Sequence, residues 1–352
     1  MRDVGMVMPV YNQDPLYLTL AMNSVLRQSY PHFHLAVVID GANEQTRNQV
    51  YQYRKDPRIT IIDKPVNEGI SQALNTGFNY LLGLKEVHYL TWGSSDNVLY
   101  TDFFMKLRQA LVNAAPSVGL AYSSFHHMDE HGNVIHSHEQ HVKFRSWQQT
   151  RTLNDLMDSS FIGASFMYKK RYARLIDGYY LDPVQTYDYW LRLTEKCGIT
   201  YIPEELMAYR FHSPTSLSRE IHLDKQKHRW WRNQFNLARH KARMRRQIGY
   251  ETVILYPVYR NDWRTVEHIE QLLDQQYHNY RLFLVDKTHQ ISNMLNELGI
   301  ADPRISVIPK SGPDSTLLND IHVPPGSRKL ILTEAYDLSR TDALTRLLAQ
   351  QG

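Results

Sequence analysis

Short apolar segments alternate with amphipathic segments over the first hundred residues, and this alternation limits the fold more than any other feature of the sequence. The apolar runs at residues 4–10, 35–39, 58–62 and 88–92 are predicted strands, and an apolar stripe that begins at Leu18 predicts a helix after the first. Strands that are apolar throughout and separated by helices form a mostly parallel sheet covered on both faces. We therefore predict an α/β fold whose ligands bind beyond the carboxyl ends of the strands.

The polar residues that follow these strands are the candidates for a binding site. Tyr11 and Asn12 follow the first strand, Asp40 ends the second, and residues 93–97 follow the fourth. Residues 11–15 contain no glycine, whereas a dinucleotide-binding loop requires several at this position. The sequence therefore excludes a nicotinamide-dependent oxidoreductase.

The middle third of the chain has a different pattern. Residues 121–129 and 134–138 predict a hairpin. The other predicted elements are a strand at 164–168, a helix at 187–197, and strands at 199–202 and 207–211.

Histidines are concentrated in this predicted hairpin. They are His126, His127, His131, His136, His138 and His141. His136 and His138 would share one face of a strand, a spacing that can hold zinc. A solvated hairpin explains the same residues without a metal, and it is the favoured interpretation because no cysteine lies nearby.

The last hundred residues repeat the pattern of the first hundred. The matched segments are 9–11 with 257–259, 40 with 286, 56–59 with 302–305, and 101–102 with 341–342. Asp286 and Asp337 take the places of Asp40 and Asp96 in this second copy. However, Arg260 replaces Asn12 and Lys287 replaces Gly41. We therefore predict a second sheet without the chemistry of the first.

A basic segment separates the two copies. Residues 225–249 contain nine Lys and Arg and no acidic residue, with tryptophan and phenylalanine between them. Such a helix contacts an anionic lipid surface or a lipid-linked acceptor, or it is a bridging helix that packs its aromatic residues inward and exposes its cations. The sequence leaves both interpretations open.

The composition also indicates the cellular compartment and the kinds of partner to expect. The single cysteine, Cys197, allows no internal disulfide and suits a reducing cytoplasm. No apolar run approaches the roughly 18–20 residues that span a bilayer, so we expect a cytoplasmic protein with at most peripheral contact with the cytoplasmic face of a membrane. A formal net charge of +4 is too small to indicate a nucleic-acid partner.

Seven short segments, taken in order, resemble a family-2 glycosyltransferase with the GT-A fold, a Rossmann-like architecture. They are MPVYN at 8–12, SVLRQSY at 24–30, VVIDG at 37–41, NEGISQALN at 67–75, DN at 96–97, YDYWLRL at 187–193 and YRFH at 209–212. The resemblance implies a glycosyltransferase domain at 1–222, with a nucleotide-binding half at 1–115 and an acceptor half at 116–222. Residues 223–250 are then a basic helical linker. Residues 251–352 are a smaller, degenerate half-repeat that packs, dimerises or helps to seat the acceptor.

The resemblance also implies a nucleotide-sugar donor and a divalent metal, Mn²⁺ or Mg²⁺. It assigns to the donor Pro9, Tyr11, Asn12, Asp40, Asn67, Gly69, Asn75, Ser95 and Asp96. Asp40 would accept a hydrogen bond from a ring N–H of uracil or thymine. Asp96 would hold the metal, because hard cations prefer oxygen ligands, and His212 is a further candidate ligand. The family has a second acid beside each of these carboxylates, where this chain has Ile39 and Ser95.

The catalytic base is the position at which this chain departs most from the family. The family's base lies six residues before the arginine matched by Arg192, and Thr186 stands there, preceded by Gln185. Neither side chain accepts a proton at neutral pH. Asp188 is the nearest carboxylate and is the predicted base. An acid in the first turn of a helix is also stabilised by the helix dipole, which is the alternative role for Asp188.

The predicted function is metal-assisted transfer of a sugar, with inversion, from a UDP- or dTDP-sugar to a hydroxyl group. The acceptor is a glycan, a glycolipid or a glycoprotein, and a second copy of the chain is a candidate partner. The alternative is a glycosyltransferase-like protein without turnover that binds a nucleotide sugar or a glycan as a partner subunit. The family's acids missing at Ile39, Ser95 and Thr186 are the reason for this alternative.

Overall fold

The structure is a computed structural model, and it describes residues 2–211, 217–310, 321 and 324–350. It divides into two compact units, Met1–Glu220 and Ile221–Gly352. Each unit has its own sheet and its own apolar core. Within the described ranges, none of the helices combines the length and the apolar character that crossing a membrane requires.

The first unit is built on one mixed sheet. Its strands are β1 (Val4–Val10), β2 (Phe33–Asp40), β3 (Ile59–Lys64), β4 (Tyr89–Trp92), β5 (Val98–Leu99), β6 (Val118–Met128), β7 (Phe166–Lys169) and β8 (Gly198–Arg210). The helices up to Leu223 are α1 (Pro15–Leu26), α2 (Glu44–Tyr51), α3 (Ile70–Gly83), α4 (Phe103–Asn113), α5 (His138–Gln149), α6 (Lys170–Ala173), α7 (Gln185–Leu193) and α8 (Leu217–Leu223). A short 3₁₀ helix covers Asn154–Met157.

The amino-terminal half of this sheet is parallel, in the order β3-β2-β1-β4. Val10 of β1 lies opposite Ile39 of β2, and Val7 lies opposite Trp92 of β4. Every residue of β1 is buried, as expected for a central strand covered on both faces. The predicted α/β fold with a mostly parallel sheet is confirmed. Its consequence is that the segments after β1, β2 and β4 meet at one edge.

The polar segment after β1 becomes the start of α1. Oδ1 of Asp14 accepts hydrogen bonds from the backbone N of Leu16 at 2.8 Å and of Tyr17 at 3.2 Å. Pro15 occupies the first helical turn, where it has no N–H to leave unpaired. The predicted apolar stripe from Leu18 faces the sheet and is buried. The helix therefore turns the loop at residues 11–14 back over the sheet edge.

The structure of the middle third differs from three of the sequence predictions. The hairpin predicted at 121–129 and 134–138 is shortened: Val134 forms an isolated antiparallel bridge with Met128 and the backbone N of Ile135 donates to the carbonyl oxygen of His127, but no second strand extends to 138 in this described segment. Ser137 instead forms a capping box with Gln140, which starts α5 at His138. The strands predicted at 199–202 and 207–211 are one strand, β8, which bulges against β6. Helix α7 ends at Leu193, earlier than predicted, and the hydroxyl of Thr194 donates to the carbonyl oxygen of Trp190.

The second unit repeats the topology of the parallel half of the first. Its elements are α9 (Lys225–Arg246), β9 (Thr252–Val258), α10 (Trp263–Leu273), β10 (Tyr280–Asp286), α11 (Ile291–Glu297), β11 (Ile305–Pro309), β12 (Arg328–Ile331) and α12 (Ala343–Gln350). In the described residues the strand order is β11-β10-β9-β12, and all these pairs are parallel. This order matches β3-β2-β1-β4 strand for strand, as the sequence repeat predicts.

The basic helix α9 lies in the second unit, where a linker was predicted. Arg229 and Arg232 are buried, and both form ion pairs with Glu270 of α10, at 2.8 and 3.0 Å. These two arginines lower the pKa of Glu270 to about 2, against the burial that would raise it. Trp230 is exposed. The interpretation in which aromatic residues pack inward and cations face solvent is therefore wrong for these residues.

Candidate functional site

The loops after β1 and β4 lie side by side at the carboxyl edge of the first sheet. Nε2 of Gln13 donates a hydrogen bond of 3.0 Å to Oγ of Ser95. Asn12 has a φ of +34° and reaches the loop after β2, where its Oδ1 accepts a hydrogen bond from the backbone N of Asn43 at 2.7 Å. Tyr11 is half exposed at the same edge. Three of the predicted donor residues, Tyr11, Asn12 and Ser95, therefore lie at the same sheet edge.

Asp40 ends β2 and is buried, with backbone and side-chain donors around its carboxylate. Its Oδ1 accepts from Nζ of Lys64 at 2.5 Å, and its Oδ2 accepts from the backbone N of Gly69 at 2.9 Å. The backbone N of Glu68 is 3.2 Å from both oxygens. A carboxylate offers about four acceptor sites. Three donors occupy most of them, so Asp40 holds the loop before α3 and keeps little acceptor capacity for a nucleobase.

Gly41 explains why this loop approaches Asp40 so closely. It has a φ of +63°, and a Cβ at this position would lie 2.2 Å from the backbone N of Asn67. Any other residue would therefore push the loop away. Oδ1 of Asn67 accepts from the backbone N of Gly69 at 2.9 Å. The predicted residues Asn67 and Gly69 thus lie beside Asp40.

Asp96 follows β4 and is buried next to a cation. Nε of Arg210 donates to the carbonyl oxygen of Asp96 at 3.1 Å, and the backbone N of Arg210 donates to Oδ1 of Asn97 at 3.0 Å. Burial raises the pKa of the Asp96 carboxyl, and Ser94 and Arg210 only partly offset this. The candidate ligand His212 lies outside the described residues. Sequence reasoning included Arg210 in the YRFH segment but did not connect it with Asp96. Its contact with Asp96 spans 114 residues of sequence.

Two of the predicted donor residues have structural roles. Pro9 lies inside β1 opposite Val38 and is buried. The side chain of Asn75 makes two hydrogen bonds with the backbone of Tyr179, from Nδ2 to O at 2.8 Å and from N to Oδ1 at 2.7 Å. Its amide therefore holds the segment before α7. Both residues make structural contacts, and their assignment to the donor stays a prediction.

The predicted base, Asp188, points into the core. It is fully buried, and its Oδ2 accepts from Nε of Arg192 at 2.8 Å. The guanidinium of Arg192 also donates to the carbonyl oxygens of Asp177 and Gly178, at 2.5 and 2.7 Å. A base must reach the proton of an acceptor at the surface of the site. The burial of Asp188 fits an ion pair that supports the 177–178 segment, and it argues against the predicted catalytic role.

A different carboxylate, Asp182, lies next to the predicted donor loop. The hydroxyl of Ser71 donates a hydrogen bond to its Oδ1. Its Oδ2 is 3.3 Å from the place where a Cβ on Gly69 would stand. Asp182 is only partly buried and lies three residues before the start of α7. Sequence reasoning missed it because Ser71 and Gly69 are more than a hundred residues away in the chain.

In the second unit, the side chains at the corresponding sheet edge are bonded to neighbouring residues of the same unit. Oδ1 of Asp286 accepts from the backbone N of Thr288 at 2.8 Å, and Oδ2 accepts from the backbone N of Ile291 at 3.0 Å. Asp286 thereby caps its own loop. Arg260, which replaces Asn12 in the repeat, forms an ion pair with Glu334. This pairing is consistent with a copy that lacks the chemistry of the first.

A cavity of about 520 Å³ lies at the other end of the first sheet. It opens at the amino-terminal end of β4, beside His88, and the cations Lys170 and Arg174 line it. Both of these donate to carbonyl oxygens near the end of α3, those of Leu84 and Leu82. Because ligands of such sheets bind at the carboxyl edge, this cavity is not the predicted donor site.

Comparisons with known proteins agree with the resemblance. The family model described as Glycosyl transferase family 2 matches residues 6–174. An uncharacterized glycosyltransferase from Rickettsia bellii is 22% identical over 372 residues, covering 93% of this chain and 52% of the relative. A putative teichuronic acid biosynthesis glycosyltransferase, TuaG, from Bacillus subtilis is 25% identical over 207 residues, covering 58% of this chain and 77% of the relative. The chain spans between about a third and a half of the length of the first Rickettsia relatives it matches.

A solved structure shows the same fold. The structure of S. aureus TarS residues 1–349 in complex with UDP-GlcNAc has a TM-score of 0.51 and 14% sequence identity. The match covers 67% of this chain and 66% of that chain. At this level of identity the likeness concerns the fold alone, and it agrees with the predicted GT-A architecture.

Proposed function

We propose, from the match of residues 6–174 to the family model described as Glycosyl transferase family 2, that the first unit transfers a sugar from a nucleoside-diphosphate donor to a hydroxyl acceptor. The observation that carries the proposal is the meeting of two groups at one sheet edge. The loop of Asn67 and Gly69 is anchored on Asp40, and Asp96 lies beside Arg210. The first group suits a nucleoside and the second suits a diphosphate.

Sugar transfer places specific demands on such a site. The bond between the anomeric carbon and the diphosphate breaks, so positive charge develops on the sugar and negative charge on the leaving group. Preorganised donors and cations at the leaving group supply most of the stabilisation in reactions of this kind. The buried guanidinium of Arg210 lies beside Asp96 and is the cation that we assign to that role. Arg210 would therefore help to hold the departing diphosphate.

The residues around Asp96 fit a divalent metal ion. The Asp96 carboxylate, with the hydroxyl groups of Ser94 and Ser95 next to it, offers oxygen ligands, which Mn²⁺ and Mg²⁺ prefer. A single protein carboxylate is enough for such ions when substrate phosphates supply further oxygens. When bound, the ion would neutralise charge on the diphosphate.

Asp182 is the carboxylate that we propose as the general base. It borders the donor loop through Ser71 and Gly69, and it is partly exposed to solvent. Asp188 lacks this access because it is buried against Arg192. A base on the acceptor hydroxyl with the leaving group on the opposite face of the sugar would make the transfer a single displacement that inverts the anomeric carbon.

The donor that we propose is a UDP- or dTDP-sugar. Lys64 and the backbone of Glu68 and Gly69 already fill most of the acceptor positions of Asp40, so the loop that it anchors at Asn67 and Gly69 would face the base in place of its carboxylate. The fold neighbour TarS is in complex with UDP-GlcNAc, which supports the same choice. The acceptor that we propose is a hydroxyl of a glycan, glycolipid or glycoprotein.

Nucleotide release from a panel of donors tests the proposal. The full chain is incubated with UDP-GlcNAc, UDP-glucose, dTDP-glucose or GDP-mannose and a panel of glycan acceptors in the presence of Mn²⁺, and the free nucleotide is measured. We expect Asp96→Asn to lower the rate with the preferred donor about 100-fold, since a group that acts on the leaving group is lost. Asp337→Asn is the matched control, because it changes the equivalent carboxylate of the second unit, and it should leave the rate unchanged.

Two outcomes would contradict the proposal in different ways. Equal rates for the wild type and Asp96→Asn would remove Asp96 from the reaction. Binding of a nucleotide sugar by calorimetry, with no nucleotide release from any donor, would favour the partner subunit without turnover. The substitutions at Ile39, Ser95 and Thr186 are the sequence features that support that second candidate.

A further inference from the structure

Three potential metal ligands of the first unit meet on elements other than the donor loops. They are His126 on β6, His141 on α5 and Glu205 on β8. One ligand atom of each lies within 4.8 Å of the others. We propose that these three side chains bind a zinc ion that fastens α5 to the strands β6 and β8.

His141 is the first observation that points to a ligand. Its side chain is only 4% exposed, and its Nε2 is buried with no hydrogen-bond partner among the residues that the structure describes. A buried polar atom without a partner is unfavourable relative to a paired one. A neutral imidazole is the form of histidine that binds metals.

His126 is the second observation, and it is independent of the first. A hydrogen bond of 2.8 Å joins its Nδ1 to the hydroxyl of Tyr100. Such a bond on one ring nitrogen fixes the orientation of the imidazole and leaves Nε2 as the ligand atom, which is the usual arrangement around a metal-bound histidine. The rings of His126 and His141 lie 4.4 Å apart, almost perpendicular to each other.

Glu205 completes a set of ligands that zinc accepts. Both of its oxygens lie 2.9 Å from Nη1 of Arg145 on α5. This ion pair fixes the carboxylate but uses only part of its acceptor capacity. Two imidazoles and one carboxylate, with a fourth position for water, form a common zinc coordination sphere. Zn–N distances of about 2.0–2.1 Å place the ligands of a tetrahedral site about 3.3 Å apart, so small side-chain rotations are enough to close the described cluster.

The position of the cluster indicates what the ion would do. In the register of β6 and β8, His126 pairs with Ala208, two residues before Arg210. Arg210 in turn contacts Asp96. A zinc ion that joins α5 to β6 and β8 would therefore stiffen the strand that carries Arg210. The inference does not depend on sugar transfer, because zinc binding is measured without a donor.

Zinc binding to the full chain tests the inference. Purified protein is stripped with a chelator, equilibrated with Zn²⁺ and dialysed, and its zinc content is measured by mass spectrometry. We expect one zinc per wild-type chain and a rise in Tm on binding. His141→Phe keeps an aromatic ring in the core and should lose both the zinc and the rise in Tm. His126→Phe should behave in the same way.

Two control variants make the result specific. His138→Ala removes an exposed histidine of the same helix and should retain one zinc. Asp96→Asn should also retain it, which separates this site from the metal proposed at the donor. Circular dichroism of each variant shows that it is folded. Wild-type protein that retains no zinc would overturn the proposal, and so would His141→Phe and His126→Phe variants that retain as much zinc as the wild type.

Discussion

Asp182→Asn is expected to lower the rate of nucleotide release by about 10²–10⁴-fold, the range that general base catalysis supplies. Asparagine has nearly the same shape and still accepts the hydrogen bond from Ser71, but it cannot take up the proton of an acceptor hydroxyl or of water. The affinity for the donor should change little. The measurement is the steady-state rate at saturating donor, with donor affinity determined separately by calorimetry.

Asp188→Asn is the matched comparison for this experiment. It replaces a carboxylate six residues further along the chain that is buried and paired with Arg192. We expect lower stability, since Arg192 loses its charged partner inside the core. At a temperature where the variant is folded, its rate should stay close to that of the wild type. The opposite pattern, a slow Asp188→Asn and an unchanged Asp182→Asn, would return the base to Asp188.

The parallel part of the fold was predictable because its information is local. The run from Val4 to Val10 is apolar at every position, and the structure buries every residue of it. Such a run is a property of neighbouring residues and needs no knowledge of the partner strand. The repeat in the sequence then predicted the second sheet, whose strand order copies that of the first.

The middle third was harder because local patterns there have two interpretations. Alternation over 134–138 suggested a strand, but Ser137 and Gln140 have the spacing of a capping box, which is a readable helix start. The helix brings the ring of His141 next to that of His126. The strand predicted from the alternation would not have indicated this contact. The gap predicted inside β8 corresponds to a register shift against β6, a feature that depends on the partner strand.

The part of the candidate site that depends on local sequence was also predictable. Asp40 and Asp96 were found because each directly follows an apolar strand. Asp188 and Arg192 are spaced four apart, so an ion pair within the helix was readable from the sequence. Asp182 and Arg210 were missed in these roles because their neighbours at the site are about a hundred residues away. Contacts of that kind are set by the sheet order, which comes only from the complete fold.

The repeat also offers a matched pair of ion pairs that differ in burial. Asp302→Asn is expected to destabilise the second unit by about 3–5 kcal/mol, because Arg304 would stay buried without its partner. Asp302 and Arg304 are 0% and 2% exposed, and their shortest contact is 2.7 Å. In the first unit, Asp56 and Arg58 make nearly the same contact at 2.8 Å, but they are 22% and 21% exposed.

Asp56→Asn should therefore cost only about 1 kcal/mol or less, since water replaces the lost partner. Thermal unfolding of the two variants of the full chain measures the difference. For a unit of this size, the loss expected in Asp302→Asn lowers the Tm of its transition by about 10–20 °C. Similar shifts in both variants would show that burial does not set the cost of breaking this pair.

The pH dependence of the free energy of unfolding provides an independent check on the Asp302–Arg304 ion pair, and the direction of the change is defined. Burial by itself would raise the pKa of Asp302, but the charge and hydrogen bonds of Arg304 outweigh it and hold that pKa below its usual value of 3.8. A carboxyl group whose pKa is lowered on folding contributes stability that is complete above its ordinary pKa and is lost as the pH falls through the folded value. Wild-type stability should therefore decline below about pH 4. Asp302→Asn lacks the titrating group, so its second unit should show a flatter acid limb in a series of urea unfolding curves. An acid limb as steep as that of the wild type would assign the decline to other carboxylates.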